Sequence, residues 1–258
     1  MLLVFCIGND NIRIGTIADG SLIHTLSVSA DPRRTADEYA CILKSLFDFR
    51  GISVSDIRGS IGASVVPELT DTVRLSLEML LGFRPHILGA GTKTGLNILT
   101  DDPAELGGDL VASAVGALTK YAPPLILIDF GTALTFSVID KSGAFLGCAI
   151  APGVTLAANA LSKGTSLLVP FAREIPKKCI GTNTASSMQS GCAFGSAATV
   201  DGMICRIESE LGETASVIAS GKDADRVIPL CTRKIARDDT LLLTGLATVY
   251  AKNMKKHK

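Results

Sequence analysis

Two carboxylates in this chain stand beside glycines and hydroxyls in patterns that suit phosphate chemistry. One is Asp129, in the stretch Asp129-Phe130-Gly131-Thr132-Ala133-Leu134-Thr135. The uncharged run Pro124-Leu125-Ile126-Leu127-Ile128 before it reads as a strand buried on both faces. A carboxylate at the end of such a strand is costly to desolvate unless something compensates it. The Gly and Thr residues that follow offer backbone N–H groups and hydroxyls that can close on an anion. The segment reads either as a seat for a metal-bound polyphosphate or as an ordinary hairpin with a capping Asp. The other carboxylate is Asp109, preceded by Gly107-Gly108 and followed by a small-residue helix, Val111 to Lys120. Two glycines let backbone and carboxylate approach a ligand closely. An Asp at that point is also an ordinary helix N-terminal residue.

The elements that must position these groups form a duplicated plan. Strand-like runs at residues 2–7, 12–17 and 22–28 are separated by turns at Gly8-Asn9-Asp10-Asn11 and Asp19-Gly20-Ser21. The second half repeats this with runs at 124–128, 136–140 and 144–150, and turns at Gly131 and Ser142-Gly143. Gly8 then corresponds to Gly131, and Cys6 to Asp129. Between the meanders, Thr35 to Phe47 has helical spacing with acidic residues in its first turn. Residues 57–66 read as a strand leading into a helix started by Pro67. The expectation is a duplicated α/β fold with mixed sheets, an N-terminal half at 1–117, a C-terminal half at 118–258 and a cleft between them.

Composition narrows the function classes. The 258 residues are 47% hydrophobic and 19% charged with no formal net charge, which argues against disorder and against nonspecific nucleic-acid binding. Trp is absent and aromatics make up only 5%, leaving few stacking platforms for single strands. No apolar run is long enough to span a bilayer, and residues 1–7 read as a strand and not as a signal peptide. Seven cysteines without CxxC spacing suggest neither a disulfide frame nor a zinc site, and fit a reducing cytoplasm. His24, His86 and His257 are too dispersed for a metal site and read as structural. The basic tail 252–258 reads as a solvated end.

Several segments, taken in order, resemble type III pantothenate kinases: Gly95-Leu96-Asn97, Pro103 to Asp109, Asp129 to Thr135, Leu146-Gly147 with Pro152-Gly153, and Ile180 to Thr184 with Met188 to Gly191. Thr244-Gly245-Leu246 and Tyr250 to Asn253 extend the likeness, which runs from residue 2 to about 253. The resemblance implies an actin-like ATPase fold of two ribonuclease-H-like halves flanking a nucleotide cleft. It implies phosphorylation of pantothenate by ATP at the first step of coenzyme A biosynthesis, with Mg²⁺ and a monovalent cation, K⁺ or NH₄⁺. It also implies a cytoplasmic homodimer with active sites near the interface. By the same resemblance Asp109 is the general base and Asp129 the monovalent-cation ligand. Cys6, Ile7, Gly8, Asn9, Asp10, Asn11, Ile12 and Arg13 form the first ATP motif, and Thr132 contacts ATP. Gly107, Gly108, Asp109 and Leu110 form the pantothenate loop, with Thr184 a further pantothenate contact.

The chain departs from the family pattern at these same places. Cys6 stands where the family has Asp, and Asp10 where it has Thr or Ser. A thiol is a poor ligand for a hard ion such as Mg²⁺. Asp10 either restores the lost charge from within the turn or repels the phosphates. Leu110 replaces an Arg, removing a bidentate partner for an anion. Leu134 replaces a Thr, and Gly221-Lys222 stands for a Gly pair on the adenosine side. These changes support a rival reading, a degenerate relative that binds ligands without catalysis. Cys6 is also open to reading as a redox-sensitive thiol, although a buried strand residue is the plainer account. A sugar or acetate kinase on the same fold is disfavoured by the pantothenate-type loop.

Overall fold

The computed structural model describes residues 1–168, 171, 172 and 174–254. The expectations for Lys255, Lys256, His257 and Lys258 lie outside the described residues. The chain forms two compact units, one of Met1–Leu96, Asp101–Lys120 and the chain from Thr240 onward, the other of Asn97–Thr100 and Tyr121–Asp239.

The first unit carries a five-stranded sheet of β1 (Leu2–Ile7), β2 (Asn11–Ala18), β3 (Ser21–Ser29), β4 (Gly59–Ser64) and β5 (His86–Ile87), in the order β3-β2-β1-β4-β5. The three opening strands pair antiparallel, while β4 and β5 run parallel to β1. Alternation along β1 and β2 sends Leu3, Phe5, Ile7, Ile12 and Ile14 into a core completed by α1 (Ala36–Phe49) and α2 (Pro67–Leu81). Thr35 fixes the start of α1 through a reciprocal capping box with Glu38, as the acidic first turn suggests. His24 is tied to the Thr16 hydroxyl at 2.8 Å, and both residues belong to the strand register. α3 (Gly108–Leu118) begins earlier than the expected Val111, so Asp109 lies inside its first turn.

The second unit repeats the plan. Strands β6 (Leu125–Phe130), β7 (Ala133–Ile139), β8 (Phe145–Pro152), β9 (Ser216–Ser220) and β10 (Ala236–Arg237) are ordered β8-β7-β6-β9-β10 with the same parallel and antiparallel pairings. Ile126, Ile128, Phe130, Leu134 and Phe136 pack into a core with α4 (Val154–Lys163), α5 (Thr184–Leu211) and α6 (Ala224–Val227). β6 continues through Phe130, so Asp129 sits within the strand and the turn is reduced to Gly131-Thr132.

The last helix, α7 (Leu241–Met254), returns to the first unit and packs along α3. A division of the chain after residue 117 would separate these two helices. Their backbones come so close that a Cβ on Gly116 would strike the Leu241 carbonyl, and one on Gly245 the Ala112 carbonyl. Only glycine permits that approach. Below this contact, the Asn253 amide donates to the Lys93 carbonyl at 3.0 Å, and Lys252 Nζ donates to the Thr94 carbonyl at 2.8 Å. The late Lys252-Asn253 motif thereby holds the loop that leads to Gly95. Tyr250 of α7 meets His86 edge to face, ring centroids 6.1 Å apart.

Candidate functional site

In the first unit, β1 ends at a tight turn in which the Gly8 N–H donates to the Asn11 carbonyl at 3.0 Å. The Ala30 N–H anchors the far side by donating to the Asp10 carbonyl at 3.1 Å. Ile7 and Ile12 are buried, while Asn9 and Asp10 are exposed at the tip. Cys6 is 3% exposed. It lies directly opposite Arg13 on β2 and Ala63 on β4, so these three form a row across the sheet. Because Phe5 and Ile7 face the first core, the row faces the other way.

The start of α3 meets that same face. A Cβ on Gly108 would come within 3.5 Å of the Ala63 side chain and 3.3 Å of the Leu88 carbonyl. The Asp109 carboxylate folds back over Gly107, where a side chain would collide with it. Burial pushes the Asp109 carboxyl above the ordinary carboxylate range. Backbone N–H groups of Leu110 and Asp109, and the charge of Arg13, oppose that shift without cancelling it. Gly107, Gly108, Asp109 and Leu110 are therefore gathered at one helix start, with Arg13 electrostatically coupled to the carboxylate. Sequence reasoning included Arg13 only as the end of a turn motif and did not connect it to Asp109.

The second unit carries its own polar row. Asp129 on β6 lies directly opposite Thr135 on β7 and Ser220 on β9. Ser220 Oγ donates to Asp129 Oδ1 at 2.8 Å. The Thr135 hydroxyl is buried and has no hydrogen-bond partner among the described residues. Ile128 and Phe130 point into the second core, so this row also faces away from it. The Gly131-Thr132 turn is closed by the Gly131 N–H donating to the Ala133 carbonyl and the Gly153 N–H donating to the Thr132 carbonyl, both at 3.1 Å. A side chain on Gly153 would strike the Gly131 and Thr132 carbonyls. Gly221, at φ +103°, lies against the Phe130 backbone, and its N–H donates to Asp239 Oδ1 at 3.0 Å. The turn that carries Thr132 is thus held from both sides by glycines.

Thr184 is the first residue of α5 and is exposed. Asn183 before it is the helix cap, its Oδ1 accepting from the Ser186 N–H at 2.9 Å, so that oxygen is committed to the helix. Thr184 and the exposed Thr182 remain as hydroxyl donors of the segment.

Among the described residues no group of three or more His, Cys, Asp or Glu side chains could hold a metal ion. A cation here would draw on one or two carboxylates with hydroxyls, backbone or substrate oxygens. The second row fits a monovalent ion, since it combines one carboxylate with a buried hydroxyl that has no partner among the described residues. For Mg²⁺ the end of β1 fits less well, because its buried group is a thiol and its carboxylate, Asp10, stands at the exposed tip.

Over residues 2–206 the chain matches the type III pantothenate kinase family. A curated type III pantothenate kinase from Moorella thermoacetica is 38% identical, across 98% of this chain and 100% of that protein. One from Geotalea daltonii is 39% identical, across 98% and 99%. Among solved structures, the activator of the 2-hydroxyisocaproyl-CoA dehydratase from Clostridium difficile with bound ADPNP aligns with a TM-score of 0.60 at 14% identity, covering 100% of this chain and 98% of its own. The ROK hexokinase from Thermus thermophilus aligns at 0.52 with 12% identity, covering 98% and 99%. At such identities these structures speak for the fold, the two-unit α/β architecture of the actin-like ATPases.

Proposed function

Because the chain belongs to the type III pantothenate kinases, and so phosphorylates pantothenate with ATP at the first step of coenzyme A biosynthesis, we propose that Asp109 is the general base of that reaction. The observation that supports this most directly is its setting: a partly buried carboxylate with a raised proton affinity, on a glycine-flanked helix start. A base of raised pKa is better matched to removing a proton from a primary alcohol at neutral pH. The charge of Arg13 opposes the rise and so favours the ionised form. The full-length likeness to catalysing relatives does not favour the rival reading of a degenerate binding protein.

The remaining assignments follow the demands of phosphoryl transfer, which relies on positioning and neutralisation of spreading negative charge. The turn from Cys6 to Arg13 and the Gly131-Thr132 turn receive the phosphates of ATP, with N–H groups and the Thr132 hydroxyl as donors. Bound Mg²⁺ would neutralise charge on the transferring phosphates. Asp10 is the carboxylate of the first turn open to it. Asp129 holds a monovalent cation, K⁺ or NH₄⁺, which makes a buried-strand carboxylate tolerable there. Gly107, Gly108 and Leu110 shape the pantothenate pocket, and Thr184 donates to the substrate.

The enzyme is proposed to work as a cytoplasmic homodimer joined through the second unit, with its active sites near the interface. Edge strand β8 exposes Leu146 and Ile150, the latter 68% exposed, and α4 exposes Leu156 and Leu161. Apolar surface of this kind on one unit suits a self-complementary contact. Among the described residues no helix is long and apolar enough to cross a membrane.

The deciding assay measures 4′-phosphopantothenate formed from pantothenate, ATP and Mg²⁺, with and without K⁺ or NH₄⁺. Cation-stimulated product that disappears in Asp109→Asn is the expected result. Equal product from the variant would remove Asp109 from the base role. Ile150→Glu examined by analytical ultracentrifugation tests the dimer, the expected outcome being a monomer.

A further inference from the structure

We infer that Ser220 and Thr135 are the groups that make Asp129 a selective cation seat, Ser220 by orienting the carboxylate and Thr135 by giving its hydroxyl oxygen to the ion. The inference rests on the reading of Asp129 as cation ligand and extends it to two residues to which the resemblance gave no role.

The strand register carries the argument. Ser220, Asp129 and Thr135 are direct neighbours on three adjacent strands, so their side chains leave the same face of the sheet side by side. Ser220 Oγ holds Asp129 Oδ1 at 2.8 Å, which fixes one carboxylate oxygen and the plane of the group. Oδ2 lies toward the Gly131 turn, since a Cβ on Gly131 would come within 2.7 Å of it. On the other flank, Thr135 Oγ1 is sealed from solvent and has no hydrogen-bond partner among the described residues, the carboxylate opposite included. A buried hydroxyl left in that condition costs stability unless a ligand uses it. Its position beside a fixed carboxylate suits a cation. One carboxylate and a neutral hydroxyl oxygen suit a weakly charged ion that exchanges its hydration shell for protein oxygens. Ser220 is thus a positioning residue and Thr135 a selectivity residue.

The test uses full-length protein and two readouts beyond turnover: thallium-ion NMR with Tl⁺ as the K⁺ surrogate, and the rise in melting temperature on adding K⁺ compared with Na⁺. Thr135→Val should bind Tl⁺ roughly tenfold more weakly. It should melt higher than wild type without K⁺, because the unpaired hydroxyl is gone, and gain less on adding K⁺. Ser220→Ala should weaken Tl⁺ binding by a similar roughly tenfold factor, with Ser220→Thr restoring it. Pantothenate KM should stay unchanged in all three variants. If Asp129→Asn abolishes Tl⁺ binding while Thr135→Val and Ser220→Ala keep wild-type affinity, the inference is overturned and the Asp129 reading stands. If Asp129→Asn binds Tl⁺ as wild type does, the Asp129 reading fails and the inference with it. Thr135→Ser, which keeps the hydroxyl, guards against a packing effect: if it binds as weakly as the Val variant, the hydroxyl is not the ligand.

Discussion

At the end of its central strand each unit sets three side chains in a row across the sheet. The first unit places Arg13, Cys6 and Ala63 there, and the second places Thr135, Asp129 and Ser220 at the topologically matching positions. Strand order and pairing direction are alike in both, while the turn after the strand is one residue shorter in the second. The chemistry is reversed. The second row is all oxygen, with its carboxylate on the strand and a hydroxyl locked to it. The first has a thiol on the strand and a guanidinium beside it, and its carboxylate arrives instead from a helix as Asp109. The fold fixes where a functional group stands, and the residue types divide the work. One row suits a cation, while the other leaves a positive charge to govern a proton acceptor.

The comparison breaks most visibly at Asp109. Asp109→Asn should lower kcat by about 10²–10⁴-fold, the usual range for loss of a positioned base. Because burial raises the folded-state pKa of this carboxyl, the native protein binds its proton more tightly than the unfolded chain does. Stability from this group therefore falls as pH rises from the ordinary carboxylate value through the raised one. Asp109→Asn should accordingly melt higher than wild type at neutral pH, with the gap closing in acid. The acid limb of the wild-type kcat/KM profile should lie above the usual Asp range.

Cys6→Asp rebuilds the first row in the image of the second. If Asp10 compensates for the thiol, Asp10→Ala should raise the half-saturating Mg²⁺ concentration in wild type and do so far less in the Cys6→Asp background. A double-mutant cycle on Mg²⁺ activation reads this directly, and additive effects would rule out compensation.

Gly116→Ala attacks the support of the first row and not its chemistry. The added methyl meets the Leu241 carbonyl, so urea unfolding should show a loss of about 1–3 kcal/mol. The smallest effect belongs to the second unit, where Asn183→Ala removes the α5 cap and should cost about 1 kcal/mol.

Much of this architecture was legible because local patterns determine it. The meander strands, the Thr35 cap and the correspondence of Gly8 with Gly131 are set by alternation and turn chemistry within short windows. The Ser220 contact with Asp129 was not legible, since it joins residues 91 apart through a parallel pairing that no local pattern encodes. Thr135 becomes the counterpart of Arg13 only through the strand register, because the second turn is one residue shorter than the first. The coupling of Arg13 to Asp109 stayed hidden because it needs the α3 start laid on the β1–β2 face. The affiliation of helix α7 with the first unit was not legible for a similar reason, since it rests on a glycine-to-backbone contact with α3 and not on chain proximity.

The return of α7 to the first unit has a consequence for the order in which a ribosome completes this enzyme. Residues 97–239, which supply the whole second unit, are translated before α7 begins. Domains fold largely as units during synthesis, at about 5–20 residues per second. The cation-type row can therefore settle while the Gly116 face of α3 still lacks its covering helix. The helix that carries Asp109 gains its support last, so a nascent chain has the Asp129 row in place before Asp109 is buttressed.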